Sequence, residues 1–168
     1  ALYGIPADLR LADAESLPFD DGTFDAVYTF GVIHHTPNTR KAVEEIHRVL
    51  KPGGRAIIGV YHKYSAFFLC AVLLESYLLR LGCLRESYRR TLSKIEHREH
   101  SSACPLVKVY SRRSLRSLLR GFRAVHIECA HLAHSHFGMF RRAVPHALVR
   151  RLGSQGRLGW YLIAKCNK

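Results

Sequence analysis

The chain has 168 residues, 48% of them apolar and 23% charged, which suits one globular domain with one core and excludes a disordered or low-complexity polypeptide. Its net charge of +13 is lopsided: residues 1–50 hold four Lys/Arg against eight Asp/Glu, and residues 51–168 hold 22 against five. Five scattered cysteines, Cys70, Cys83, Cys104, Cys129 and Cys166, form no CxxC pair, so a disulfide frame is excluded and reduced thiols in a cytoplasmic setting are expected.

The chain opens on Ala1 rather than Met, without a cationic leader, and a piece of a longer protein is the expectation. Leu9–Ala12 is short and apolar enough for a buried strand that ends at Asp13. Leu17-Pro18-Phe19 and Asp20-Asp21-Gly22 mark a loop and turn. Phe24–Phe30, rich in aromatic and β-branched residues, predicts a strand buried on both faces. A helix should follow, capped by Thr36 or Asn38 with Pro37 in its first turn. Its stripe is Ala42, Val43, Ile46, Val49 and Leu50, and Pro52-Gly53-Gly54 should stop it. Ala56–Tyr61 is the next strand, and the strand–helix–strand order predicts parallel pairing.

Ser65–Leu81 predicts a strongly apolar helix stopped near Gly82, and 84–100 a polar, basic one. Residues 66–81 number only 16 and include Glu75 and Arg80, whereas a membrane span needs ~20 mostly apolar residues. A covering helix is the expectation, with Phe67, Phe68, Val72, Leu78 and Leu79 as its apolar face. Residues 104–111 read as a loop, and Ser111 as the cap of a short helix carrying Leu115, Leu118 and Leu119, with Gly121 at its end. Phe122–Cys129 and Trp160–Lys165 predict two closing strands, separated by a basic helical stretch, Phe137–Leu152, that Pro145 interrupts.

Three places can carry chemistry. The Asp13 carboxylate, at a strand's end, can accept a hydrogen bond from an exocyclic amine or a hydroxyl, and the neighbouring Ala14 N–H can meet a ring nitrogen. Gly31, after Phe30, permits a positive φ or close backbone approach. His34 and His35 precede a helix and project in different directions, so one of them can orient a substrate or serve as a base near neutral pH. Each also has a plain structural use: a turn cap, a chain turn, a packed helix start. His131, His134 and His136, with His97, His100 and Cys104, match no zinc spacing, and no metal is expected. The arginines are dispersed in pairs, so nucleic acid should bind only weakly and without sequence preference.

The run from Asp13 to Gly54, with its D-A-E-x-L-P-F segment, paired histidines and R-V-L-K-P-G-G string, resembles the second half of a class I S-adenosylmethionine-dependent methyltransferase (the methyltransferase type 11 group). The resemblance covers about residues 8–62 well and the closing strands weakly. It implies an α/β, Rossmann-like class I methyltransferase sheet that lacks its first two strands and carries a helical insertion. Parallel strands would come from residues 8–12, 24–30 and 56–61, and the last strand would run antiparallel. By that resemblance residues 1–168 form one partial domain: a core over 8–62, an insertion over 64–104 and a C-terminal part over 111–168.

It further implies that Asp13 holds the adenine amino group of S-adenosylmethionine, that Leu17 packs on the adenine ring and that Phe30, Gly31 and Val32 form the floor under the methionine part. His35 would face the acceptor, and the insertion would cover it. The implied activity is methyl transfer to a small or lipophilic acceptor. The alternatives are an RNA methyltransferase or binder, suggested by the basic half, and a non-catalytic remnant or interaction module, suggested by the absent glycine-rich cofactor turn. Without that turn, the chain alone should be inactive.

Overall fold

The computed structural model describes residues 7–79, 81, 84, 87–94 and 106–168. Four strands form one sheet in the order β1-β2-β4-β3, with β1 at Phe24–Phe30, β2 at Leu50–Tyr61, β3 at Arg123–Ala130 and β4 at Tyr161–Asn167. β1 and β2 run parallel, from Ala26 opposite Arg55 to Phe30 opposite Gly59. β4 lies antiparallel between β2 and β3. The α/β reading holds, and so do the antiparallel last strand and both closing strands, each displaced by about one residue from its expected start.

The strand expected over 8–12 does not form. Residues 7–12 are extended but unpaired, and Leu9 and Leu11 are 91% and 104% exposed. A strand is held by its ladder, and these residues do not lie against the free edge of β1. Only one parallel pair therefore exists among the described residues. The expectation that β1 is buried on both faces also fails, because Tyr28 is 70% exposed and no residue of β1 is fully buried.

Helix α1, Thr39–Val49, is the element the periodicity describes best. Asn38 caps it by accepting the Lys41 N–H, which places Pro37 before the cap rather than inside the first turn. Ala42, Val43, Ile46 and Val49 are buried, as their spacing requires. The helix ends at Val49 without using the glycines. β2 starts at once, and Pro52-Gly53-Gly54 fall in its irregular first part, where the register with β1 slips. Gly53 has φ +78°, a left-handed conformation that L side chains rarely adopt.

Helix α1 and a short helix, Arg112–Leu118, cover one face of the sheet. Their Ile46, Leu115 and Leu119 join Ile58, Val60, Leu162 and Ala164 in the main core. Ser111 caps that short helix as expected, with a reciprocal Ser111–Ser114 box. The opposite face carries Tyr28, Phe30, Ile57 and Tyr161, none of them buried.

The insertion begins with α2, Phe68–Leu79, wound in the π manner, and continues in α3, Tyr88–Ser93. Phe68, Val72 and Leu92 pack with Tyr61 and Trp160 in a second core, at the carboxyl end of β2. The rest of the helix expected over 84–100 lies largely outside the described residues, as do His97, His100 and Cys104. Numbering onward in chain order, Arg112–Leu118 is α4 and His146–Ser154 is α5. Tight 3-10 turns fill His134–Ala143, and Pro145 separates them from α5 as anticipated.

Candidate functional site

The segment after β1 and the Asp13 turn meet at the start of α1. Asp13 is exposed; its Oδ1 accepts the Glu15 N–H at 2.9 Å, and its carbonyl accepts the Ser16 N–H at 3.0 Å. This is the local turn that a bland reading of Asp13 requires, and it occupies one carboxylate oxygen. Ala14 leans on the main core. The Glu15 carboxylate accepts the Asn38 N–H at 2.6 Å, so the turn is tied to the loop that follows Gly31 and Val32.

A clamp that spacing alone did not reveal holds the next stretch. Glu45 accepts the Leu17 N–H at 2.8 Å. Arg48 donates to the Leu17 and Phe19 carbonyls, to Asp21 and to both oxygens of Glu45. The Arg48 guanidinium beside it holds the Glu45 carboxyl low, at about 2. Glu45 and Arg48 lie three apart on one helix face, and that was the available signal. Arg48, the first residue of the R-V-L-K-P-G-G string, thus acts through structure: it presents Leu17, which with Phe19 and Arg10 lines a shallow pocket.

Gly31 has φ +75°, and a Cβ built there would meet nothing within 4 Å, so the backbone at the carboxyl end of β1 faces open space. Phe30 turns the other way, its ring 4.7 Å from that of Tyr161 and directly over Gly59. Val32 is exposed. Phe30 therefore packs on the open sheet face rather than joining Gly31.

The two histidines separate sharply. His34 is wholly buried between the rings of His35 and Tyr61, each 4.1 Å away, and neither of its ring nitrogens has a hydrogen-bond partner. Burial, reinforced by His35, lowers its pKa to about 3. His35 is half-buried and donates Nδ1–H to the Leu106 carbonyl at 2.7 Å, which makes Nε2 the basic nitrogen of the neutral ring.

Residues 106–110, expected to be a plain loop, form a strap across this loop. Lys108 N–H donates to the His34 carbonyl, and its ammonium donates to the Thr36 and Pro37 carbonyls and to Thr39 Oγ1 at 2.8–3.1 Å. Tyr110 hydroxyl reaches Thr39 Oγ1, while its backbone pairs with Tyr61 and Lys63. The strap therefore fastens the loop after β1 to the end of β2.

The other described histidines do not converge. His134 stacks on His146, while His136 Nδ1 accepts the Ala133 N–H and its ring lies 5.0 Å from that of His131. Among the described residues no three metal-binding side chains gather.

A buried, unpaired His34 carries a pH signature. Its folded pKa lies below the ordinary value of 6.5, so the unfolded chain binds the proton more readily. Its stabilising contribution is complete above pH 6.5 and is lost as pH falls toward 3. We expect His34→Phe, which keeps a ring and removes two orphaned nitrogens, to be at least as stable at pH 7 and to flatten the loss between pH 6 and pH 4 in denaturant titrations (on the order of 1 kcal/mol or more). An unchanged slope would show that other groups titrate there.

Residues 2–58 match the family model for the methyltransferase domain, type 11. The mitochondrial 2-methoxy-6-polyprenyl-1,4-benzoquinol methylase of Mus musculus is 60% identical over 47 residues, 27% of this chain and 14% of that protein. A sterol 4-C-methyltransferase of Caenorhabditis elegans is 47% identical over 47 residues, 28% of this chain and 14% of that one. Among the first curated relatives the match spans only 14–25% of their length.

In fold the chain is similar to an S-adenosylmethionine-dependent methyltransferase of Thermotoga maritima, a possible histamine N-methyltransferase: TM-score 0.56, 17% identity, 94% of this chain and 62% of that one. The [4+2]-cyclase SpnF is nearly as similar, with TM-score 0.53 and 21% identity, so fold alone does not name a reaction. Over residues 2–58 the chain is similar in sequence to the methyltransferase-domain family, and over nearly its whole length its fold is similar to that of S-adenosylmethionine-dependent methyltransferases.

Proposed function

We propose that this chain forms the acceptor-side part of an S-adenosylmethionine-dependent methyltransferase whose acceptor is small and lipophilic. The observation that carries the reading is the carboxyl end of β1. There Gly31 leaves open space above a positive-φ backbone, and the Asp13 turn is tied to the loop just beyond it. Ligands of open α/β sheets sit at this end of the strands. The quinol and sterol methyltransferases that match a 47-residue stretch of this chain support the lipophilic acceptor.

The residues present fit part of the cofactor. The second Asp13 oxygen is available to an adenine amino group, and the Ala14 N–H adjoins it. Leu17 is held in place by Glu45 and Arg48, and the open space at Gly31 admits the amino-acid portion. S-adenosylmethionine supplies an electrophilic methyl group on its sulfonium. The chain's own part is alignment: the floor at Gly31 and Val32 holds one reactant, and His35 Nε2, fixed by Leu106, orients or deprotonates the acceptor. The hydrophobic insertion around Tyr61, Phe67 and Trp160 excludes water from the carboxyl end of β2.

The open sheet face and the edge of β1, unpaired among the described residues, suggest that a further α/β layer completes the cleft. Calorimetry on residues 1–168 should then show S-adenosylmethionine binding weaker than micromolar, and an added upstream segment with a glycine-rich turn should recover it. In that longer protein Asp13→Ala should weaken binding about tenfold to a hundredfold, as expected for one lost hydrogen bond to a charged group. Micromolar binding by the present chain would refute the need for a further layer. An unchanged dissociation constant in folded Asp13→Ala would remove Asp13 from the site.

A further inference from the structure

Helix α2 presents a face that the proposed chemistry does not use. Its sequence, FLCAVLLESYLL, is apolar on every side, a pattern that belongs to helices enclosed all round. Yet only Phe68 and Val72 are buried. Leu74, Leu78 and Leu79 project outward, the last 54% exposed. The exposed leucines continue past the helix in Leu81 and in Leu84, which is 78% exposed. Met139, 59% exposed, adjoins them from the turns before α5, since its N–H donates to Glu75 Oε2 of α2 at 2.8 Å. Isolated surface leucines need no explanation, but this run of them does.

Positive charge lies beside this helix on two neighbouring elements. Arg141 and Arg142 line a groove with Glu75 and Met139. Arg89 is exposed on α3, which packs on α2 through Tyr88 against Phe68 and Tyr77. The only described carboxylate of α2, Glu75, is engaged by Met139, and residues 131–154 contain no Asp or Glu. No helix of the described residues is long and apolar enough to cross a membrane. An apolar ridge beside cationic groups, too short to span, is the pattern of an element that lies in the interface of an anionic bilayer. Nucleic acid is the poorer match, because leucines offer bases nothing to stack on. A second copy of the chain would bring arginine flanks against arginine flanks.

We propose that the α2 face, with Met139 and the Arg141-Arg142 pair, docks this protein on the surface of a membrane containing anionic lipid. The leucines enter the acyl boundary and the arginines meet the headgroup phosphates and carboxylates. This does not depend on methyl transfer and stands or falls separately from it.

The test is co-flotation of the full 168-residue chain with vesicles of phosphatidylcholine alone and of phosphatidylcholine doped with phosphatidylserine. Flotation with the doped vesicles only is expected, and it should fall as salt rises. Arg141→Gln/Arg142→Gln should weaken the association roughly twenty-five-fold, at about a fivefold loss for each headgroup-facing charge. Leu78→Ser/Leu79→Ser, at exposed positions that leave the core intact, should abolish it, with an unchanged circular dichroism spectrum. A Leu79→Cys variant carrying a polarity-sensitive dye should shift to the blue on doped vesicles.

Absence of flotation with either vesicle would overturn the proposal. So would serine variants that bind as the parent does, which would reduce the effect to charge alone. Concentration-dependent dimerisation in sedimentation, abolished by the serine variants and without vesicle binding, would assign the face to a second copy. Vesicle binding that persists when S-adenosylmethionine binding fails in the extended protein would leave docking intact and overturn only the enzymatic reading.

Discussion

Gly31→Val is expected to lower S-adenosylmethionine affinity by at least tenfold in a protein with a complete cleft, and to cost stability as well. The two effects have separate origins. At φ +75° a β-branched residue is strained by its own backbone, a penalty of about 1–3 kcal/mol. The lost affinity comes from volume, because the branched methyls would enter the space that no atom occupies within 4 Å of a Cβ at this position. Gly31→Ala separates them: it carries strain with little added bulk. The alanine variant should show a lowered denaturation midpoint with affinity nearly retained, and the valine variant should lose both. Equal affinities for glycine and valine forms, measured by calorimetry on folded protein, would mean that the cofactor does not pass over Gly31.

Lys108→Met should have the second large effect, on the order of 2–3 kcal/mol of stability, the upper range for hydrogen bonds to a charged group. The methionine keeps most of the stem and deletes only the ammonium. The Thr36 and Pro37 carbonyls then lose this donor, and Thr39 Oγ1 is left with the Tyr110 hydroxyl alone. The consequence for function runs through His35. Its Nδ1–H is fixed by Leu106, two residues from Lys108 on the same strap. Releasing the strap should free the ring, so that imidazole nitrogen NMR shows exchange between tautomers where the parent shows the Nδ1–H form. If the denaturation midpoint falls but His35 keeps a single tautomer, the strap is a structural brace and does not position the histidine.

The strap illustrates which interactions a linear reading misses. Leu106 and Lys108 stand more than 65 positions from the groups they hold, and no periodicity or motif connects them. The Glu45–Arg48 clamp is similar: the i,i+3 pair was visible, but its use as an anchor for Leu17, Phe19 and Asp21 depends on where the loop comes to rest. The different fates of His34 and His35 were legible only as far as their pointing in different directions. That His34 is sealed against Tyr61 with both nitrogens unpartnered is a fact of packing.

What the sequence by itself determined were the α1 stripe and the Asn38 and Ser111 caps, each fixed by side-chain spacing or a short-range hydrogen bond, and the parallel β1–β2 pair, which follows from strand–helix–strand order. The antiparallel closing strand was implied by the family resemblance that the Asp13–Gly54 run carried. Only the tertiary structure decided that Leu9–Ala12 stays unpaired, because a strand is made by its neighbour and not by its own composition. It likewise decided which side of the apolar α2 is enclosed. A helix that is apolar all round carries no directional signal, so burial of Phe68 and Val72 and exposure of Leu78 and Leu79 follow from where Tyr61 and Trp160 stand.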